Sequence, residues 1–166
     1  YAHYLIAICY FEQILDEKKD LQPLLQARKK FEFIILNYPE TDYATDARFK
    51  LDLIIDQIAA KEMSIARFYM KTEKWIPALN RLQIVVEKYD RTVFVEEALH
   101  RLVEVYYRIG LVEEATQAAA ILGYNYQSSQ WYEKSYKVFN KKYKPKKIKE
   151  KKKFGLVRRK IKSLFE

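Results

Sequence analysis

The apolar positions along the chain recur with a helical period. In one segment they fall every three or four residues, which places them in a single stripe on one side of a helix. This stripe consists of Ala98, Leu99, Leu102, Val103, Tyr106 and Ile109. Upstream, the segment from Asp42 to Lys71 has neither Gly nor Pro. It predicts one continuous helix of roughly 30 residues, or about 45 Å at 1.5 Å per residue.

The helical pattern repeats within the chain. A shift of 51 residues superimposes chemically similar positions, and a further shift of 37 residues extends the match to a third, weaker copy. The aligned positions include Ala27, Ala78 and Ala115; Ile34, Val85 and Leu122; Tyr38, Tyr89 and Tyr126; Thr41, Thr92 and Ser129. Each copy therefore contains two helical segments separated by a short break.

Each break is predicted to be a tight turn between two helices. Thr41, Thr92 and Ser129 follow the breaks and are expected to cap the amides at the start of the second helix. The sequence thus predicts an all-α fold, an α-solenoid of tetratricopeptide-like helix pairs. Residues 1–140 would form the repeat domain, with a truncated repeat and connector in 1–22 and repeats in 23–74, 75–109 and 110–140. Residues 141–166 would form a basic C-terminal tail.

The composition argues against catalysis and metal chemistry. The chain has 3 Gly, 1 Cys and 2 His among 166 residues, too few for a phosphate-binding loop, a metal cluster or a disulfide framework. We expect no enzyme activity and no cofactor. Cys9 is expected to be a small apolar core residue, and the polar residues around Lys61 to Tyr69 a solvated helix face.

The positive charge lies at the C-terminal end. Residues 141–166 contain 13 Lys/Arg and 2 acidic residues, within a total net charge of +9. Apolar residues recur there at helical spacing, so three interpretations stay open: a solvated tail, docking on an anionic membrane surface or acidic partner, and nucleic-acid binding. No base-reading motif supports the last. The candidate anionic-surface contacts are Lys151, Lys152, Lys153, Arg158, Arg159 and Lys160.

Stacked helix pairs present a concave surface suited to binding other proteins. Polar and aromatic residues off the core stripe are the candidate contacts, because Tyr and Arg are frequent among interface hot spots. His100 is placed with them, and Trp131 is expected in the core. The candidate partner-binding residues are Arg101, Glu104, Tyr107, Arg108, Tyr124 and Tyr132.

Three segments together resemble a known family. They are ARKKFEFIILNYPETDYATDA (27–47), the stretch from Lys61 to Ala115, and LGYNYQSSQWYEKSY (122–136). They are similar to the BamD (ComL) family of tetratricopeptide-type lipoproteins of the bacterial outer-membrane β-barrel assembly (BAM) machinery. The pattern Asn-Tyr-x-x-Ser-x-Trp-Tyr resembles α-proteobacterial members in particular.

The resemblance implies a non-catalytic periplasmic scaffold on the inner leaflet of the outer membrane. Its implied partners are the BamA POTRA region, other BAM subunits and unfolded outer-membrane proteins, with no nucleic acid. The family's lipidated N-terminal Cys and first repeats are expected to lie outside this chain, since Cys9 falls within a helix. A generic tetratricopeptide adaptor of another chaperone or secretion system is the alternative.

Overall fold

The computed structural model describes residues 1–13, 21–127 and 129–140. Within these ranges the chain forms seven α-helices and no strand, which confirms the all-α prediction. The helices are α1 (Ala2–Glu12), α2 (Gln22–Asn37), α3 (Asp42–Lys71), α4 (Trp75–Lys88), α5 (Val95–Ile109), α6 (Val112–Asn125) and α7 (Gln130–Phe139). The 30-residue α3 has the extent predicted from the absence of Gly and Pro.

The turns between paired helices repeat the same geometry. Tyr38, Tyr89 and Tyr126 end α2, α4 and α6 with φ of −137°, −132° and −135° and ψ of 51°, 36° and 47°. Each of their carbonyls accepts a hydrogen bond from the amide three residues later, at 3.2, 3.1 and 3.0 Å. The recurrence detected in the sequence is therefore a recurrence of backbone conformation.

The predicted helix caps are correct at two of the three turns. Thr41 Oγ1 accepts from an α3 amide at 3.2 Å and Ser129 Oγ from an α7 amide at 3.1 Å. The cap predicted for Thr92 is wrong, because α5 begins only at Val95 and the Thr92 side chain is not in position to cap it. Instead, the buried Thr92 hydroxyl donates to the Tyr89 carbonyl at 2.8 Å and closes the turn.

The core runs along the helix pairs as a chain of apolar clusters. Each helix packs against the next one in sequence, and α5 also packs against α7. Burying one large apolar side chain contributes about 1.5 to 3 kcal/mol. The largest fully buried apolar side chains are Phe31, Ile54, Met63, Leu82, Leu99 and Leu122. Four members of the predicted α5 stripe are buried: Ala98, Leu99, Leu102 and Val103.

Three side chains lie elsewhere than the sequence predicted. Cys9 is exposed rather than a core residue. His100 is only 3% exposed, since α7 covers that side of α5. Between Lys61 and Tyr69, Glu62 is mostly buried in an ion pair with Arg81 of α4 rather than lying on a solvated face. Arg67 is exposed, as predicted, and its guanidinium pairs with Glu97 of α5.

Two expectations from the sequence stay predictions. Residues 141–166, and with them the predicted basic tail, lie outside the described residues. The repeat boundaries at residues 23, 75 and 110 stay predictions. Among the helices that the structure describes, none combines the length and the apolar character that a membrane crossing requires.

Candidate partner-binding site

Helix α5 is the structural centre of the candidate site. Short connections bring α4 and α6 against it, and α7 covers a further side. Arg67 of α3 donates two hydrogen bonds to Glu97, with Nε to Oε1 at 3.0 Å and Nη2 to Oε2 at 2.6 Å. Arg101 links Glu97 at 3.4 Å to Glu104 at 2.7 Å. Paired, charge-assisted hydrogen bonds of this kind fix side-chain geometry as well as contributing energy.

The network determines the charge state of Glu97. Partial burial alone would raise the pKa of this carboxyl, because the charged form loses solvation. The hydrogen bonds and charge of Arg67, with a smaller contribution from Arg101, outweigh burial and hold the pKa of Glu97 below its ordinary value. Glu97 is therefore a stable anion that ties α3 to α5.

Trp131 of α7 lies among cationic groups from both α5 and α7. The Lys134 ammonium lies 3.8 Å from the ring centroid and the Arg101 guanidinium 5.6 Å from it. The His100 ring centroid is 5.2 Å away. Trp131 is only partly buried, although it does pack against the Leu99 and Leu122 cluster. Cation–π contacts thus orient basic side chains at the surface of the last helix pair.

A buried polar contact joins α5 to α7 beneath this surface. The Ser135 hydroxyl donates to the Trp131 carbonyl at 2.9 Å, and its oxygen lies 2.9 Å from His100 Nδ1. Because the hydroxyl proton is already donated, we assign the proton of His100 to Nδ1, which donates to Ser135. Burial lowers the pKa of His100, assisted by the positive charges of Arg101 and Lys134 and opposed by Glu104. The imidazole is therefore neutral in the folded protein near neutral pH.

These side chains border an open groove of about 450 Å³ between α5 and α7. Arg101, Lys134 and Lys137 outnumber the single acidic residue, Glu104. An open, electropositive surface next to an aromatic ring is suited to a carboxylate-bearing protein segment. The lining residues are His100, Arg101, Glu104, Trp131, Lys134, Lys137 and Val138.

Two of the predicted partner-binding residues, Arg101 and Glu104, line this groove directly. Two others lie further along α5. Tyr107 makes an edge-on contact with Phe139 at 5.6 Å between centroids, and Arg108 lies 5.1 Å from the centroid of the Trp75 ring. Four of the six predicted residues therefore share α5.

The other two predicted residues are not part of the groove lining. Tyr124, near the end of α6, is 86% exposed. Tyr132 is partly buried, with its ring against Gly123 and 4.7 Å from that of Tyr136. The predicted basic contacts from Lys151 to Lys153 and from Arg158 to Lys160 lie outside the described residues.

Sequence reasoning missed the contribution of α7. Trp131, Lys134 and Val138 occur at i, i+3 and i+7, a spacing that places them on one helix face. That signal was present, but their proximity to Arg101 depends on how α7 packs against α5. The described residues contain no group of three or more His, Cys, Asp or Glu side chains arranged to hold a metal ion.

Comparison with known proteins agrees with the resemblance found in the sequence. The family model YfiO, described as an outer membrane lipoprotein, matches residues 1–122. The chain is 46% identical over 140 residues to the outer membrane protein assembly factor BamD of Caulobacter vibrioides, covering 84% of this chain and 46% of that protein.

Two further relatives carry the same name. The BamD of Rickettsia prowazekii is 41% identical over 138 residues, which cover 83% of this chain and 55% of the relative. The BamD of Neisseria meningitidis serogroup A is 33% identical over 104 residues, which cover 63% of this chain and 39% of the relative. The chain spans about half the length of the two more similar relatives. On the family match and these identities, this chain belongs to the YfiO family of outer membrane lipoproteins.

Proposed function

We propose that the protein is a non-catalytic scaffold subunit of the outer-membrane β-barrel assembly (BAM) complex. The observation that carries this proposal is the 46% identity over 140 residues to a protein named as an outer membrane protein assembly factor. In this role it binds the POTRA region of BamA and other BAM subunits, and helps insert unfolded outer-membrane proteins. It acts at the periplasmic face of the outer membrane, held there by an N-terminal lipid anchor of the full-length protein.

The geometry supports a scaffold because the candidate surface is held in place by the fold. Arg67 and Arg101 secure Glu97, and the contact of His100 with Ser135 holds α7 on α5. Side chains that are already ordered lose little conformational entropy when a partner binds. We assign the POTRA contact to the open groove and the adjoining end of α5. The residues assigned to this contact are Arg101, Glu104, Tyr107, Arg108, Trp131, Lys134 and Lys137.

Binding of the full chain to the isolated POTRA region of BamA from the same bacterium tests the proposal. We expect a measurable dissociation constant by titration calorimetry, and Lys134→Glu should weaken binding by about tenfold, or about 1.4 kcal/mol. Lys29→Glu is the matched control, because it makes the same charge change at an exposed position of α2, away from the groove.

Two outcomes would contradict the proposal at different levels. A chain that binds no POTRA domain, yet binds unrelated client peptides, would favour the generic tetratricopeptide adaptor. If the Lys134→Glu and Lys29→Glu variants bind the POTRA region with equal dissociation constants, the protein is a partner of BamA, but the groove is not the contact.

A further inference from the structure

A second groove lies between α4 and α6, with residues of α5 also lining it. It is on a different side of α5 from the contact with α7. Its volume is about 190 Å³, below the roughly 300 to 1,000 Å³ typical of small-molecule pockets. The space suits individual side chains of a bound polypeptide. The residues lining it are Gln83, Val86, Glu87, Leu99, Leu102, Tyr106, Glu114, Gln117, Ala118 and Ile121.

The groove has an apolar floor and an acidic rim. Leu99 and Leu102 form part of the floor, and Ile121 on the α6 side is 48% exposed. The charged groups that line it are both acidic, Glu87 from α4 and Glu114 from α6. A segment that fits this surface carries Lys or Arg beside apolar side chains.

These two carboxylates differ from the acidic residues bound within the fold. Glu62, Glu97 and Glu104 each form an ion pair with an Arg side chain. Neither Glu87 nor Glu114 has an ion-pair partner within the ranges that the structure describes. Their negative charge is therefore available to a basic segment.

The chain itself contains a segment with this chemistry. Residues 141–166 hold 13 basic and 2 acidic residues, and the apolar residues among them recur at helical spacing. The apolar residues at this spacing are Phe154, Val157, Ile161, Leu164 and Phe165. Basic and apolar residues are thus interleaved, as the rim and floor of the groove require.

The end of α7 brings this segment within reach of the groove. Phe139, the last residue of α7, contacts Tyr107, the neighbour in sequence of the groove residue Tyr106. Fourteen residues, 140–153, precede Phe154 and can span up to about 45 Å when extended. The 14-residue α6 is about 21 Å long. Residues 140–153 are therefore long enough for the following segment to reach either end of the groove.

We propose that residues 154–165 dock intramolecularly into the groove between α4 and α6. Glu87 and Glu114 attract the basic residues, and the floor receives the apolar ones. Tethering gives the segment a high effective concentration at the groove, so modest intrinsic affinity is enough to occupy it. The bound segment occludes this groove from other ligands. This proposal is independent of POTRA binding and is measured on the chain alone.

Site-directed cross-linking tests the docking. In a Cys9→Ser background, Ile121→Cys places a thiol at the groove and Ile161→Cys places one in the tail. With a short bismaleimide at low protein concentration, we expect about tenfold more intramolecular cross-link than for Phe49→Cys paired with Ile161→Cys. Phe49 is 68% exposed on α3, which packs against α2 and α4.

A matched charge reversal tests the acidic rim. Glu114→Lys should reduce the cross-link from Ile121→Cys about tenfold, whereas Glu113→Lys should leave it nearly unchanged. Both residues occupy the first turn of α6 and bear the same relation to its dipole, but only Glu114 lines the groove.

Three results would overturn the proposal. The first is equal cross-linking from Ile121→Cys and Phe49→Cys. The second is equal loss of cross-linking with Glu114→Lys and Glu113→Lys. The third is a tail that cross-links to neither position but binds anionic phosphatidylglycerol vesicles, because it would then be a membrane-docking segment instead.

Discussion

Replacing Ser135 with Ala tests whether the buried contact between α5 and α7 stabilises the last helix pair. Ser135 is fully buried and His100 is 3% exposed, so water cannot replace the lost hydroxyl without rearrangement. Leaving the His100 Nδ1–H without an acceptor costs about 2 kcal/mol. The higher helix propensity of Ala relative to Ser stabilises α7 by about 0.5 kcal/mol. We therefore expect a net loss of about 1.5 kcal/mol.

Urea unfolding followed by Trp131 fluorescence measures this loss. A Trp75→Phe background leaves Trp131 as the sole tryptophan, so the signal reports the helix that contains Ser135. Local detection matters because helix-repeat proteins can lose terminal elements before the rest of the array unfolds. The unfolding midpoint should fall without a change in the denaturant slope.

The control is Thr116→Ala. Its hydroxyl also donates to the carbonyl four residues earlier, at 2.8 Å, but on the exposed face of α6. The substitution should change stability by no more than about 0.5 kcal/mol. Equal effects of Ser135→Ala and Thr116→Ala would refute the reasoning, because the buried imidazole would then gain nothing from its acceptor.

The pH dependence provides an independent check. The charged groups facing His100 are Glu97, Arg101 and Glu104 from α5 and Lys134 from α7. Because the pKa of His100 is lowered in the folded state, the unfolded chain takes up its proton first as the pH falls. Wild type should therefore lose stability as the pH falls below about 6.5 and through the lowered folded-state pKa. His100→Gln should lose less stability over the same window, and an identical pH profile would contradict a buried neutral imidazole.

Three further predictions follow from specific contacts. Arg67→Ala should lower the free energy of unfolding by about 1 kcal/mol at neutral pH. Because the pKa of Glu97 is lowered in the folded state, this loss should shrink as the pH falls below about 4.5. A loss that does not depend on pH in urea titrations would contradict the ion pair. Gly123→Ala should lower the free energy of unfolding by about 1 kcal/mol in thermal unfolding, because the added Cβ would meet the Tyr132 ring at 2.8 Å. In a Tyr132→Ala background the same substitution should raise the free energy of unfolding by about 1 kcal/mol, because Ala has the higher helix propensity. Thr41→Ala should cost about 1 kcal/mol by removing an N-cap, and unchanged helicity and stability would argue against that cap.

The sequence predicted those features that depend on short stretches of chain. The turns at Tyr38, Tyr89 and Tyr126 were located by repetition, because similar local sequences adopt similar backbone angles. The length of α3 followed from the absence of helix-breaking residues. Thr92 was assigned wrongly as a cap because the second turn continues to Phe94 before α5 begins.

The features missed in the candidate site depend on contacts between distant residues. His100 and Ser135 are 35 positions apart, and Arg67 and Glu97 are 30 apart. A helical period identifies one buried stripe, whereas α5 is covered by α4, α6 and α7 and therefore buries a wider face. Residues at the edge of the stripe, such as His100, are then buried by helices that the local pattern does not include.

The carboxylates on the two sides of α5 differ in whether an Arg side chain is paired with them, and this difference separates structural from binding roles. Towards α3 and α7, Glu97 and Glu104 are held by Arg side chains, so changing them alters the fold as well as any interface. Towards α4 and α6, Glu87 and Glu114 have no ion-pair partner among the described residues, so charge reversal there removes little native interaction energy. Reversal of Glu114 should therefore alter the docking of residues 154–165 while lowering the unfolding free energy by no more than about 1 kcal/mol, because a first-turn carboxylate interacts favourably with the α6 dipole and a Lys there does not. A comparable loss of stability from Glu97→Lys and Glu114→Lys would contradict this division.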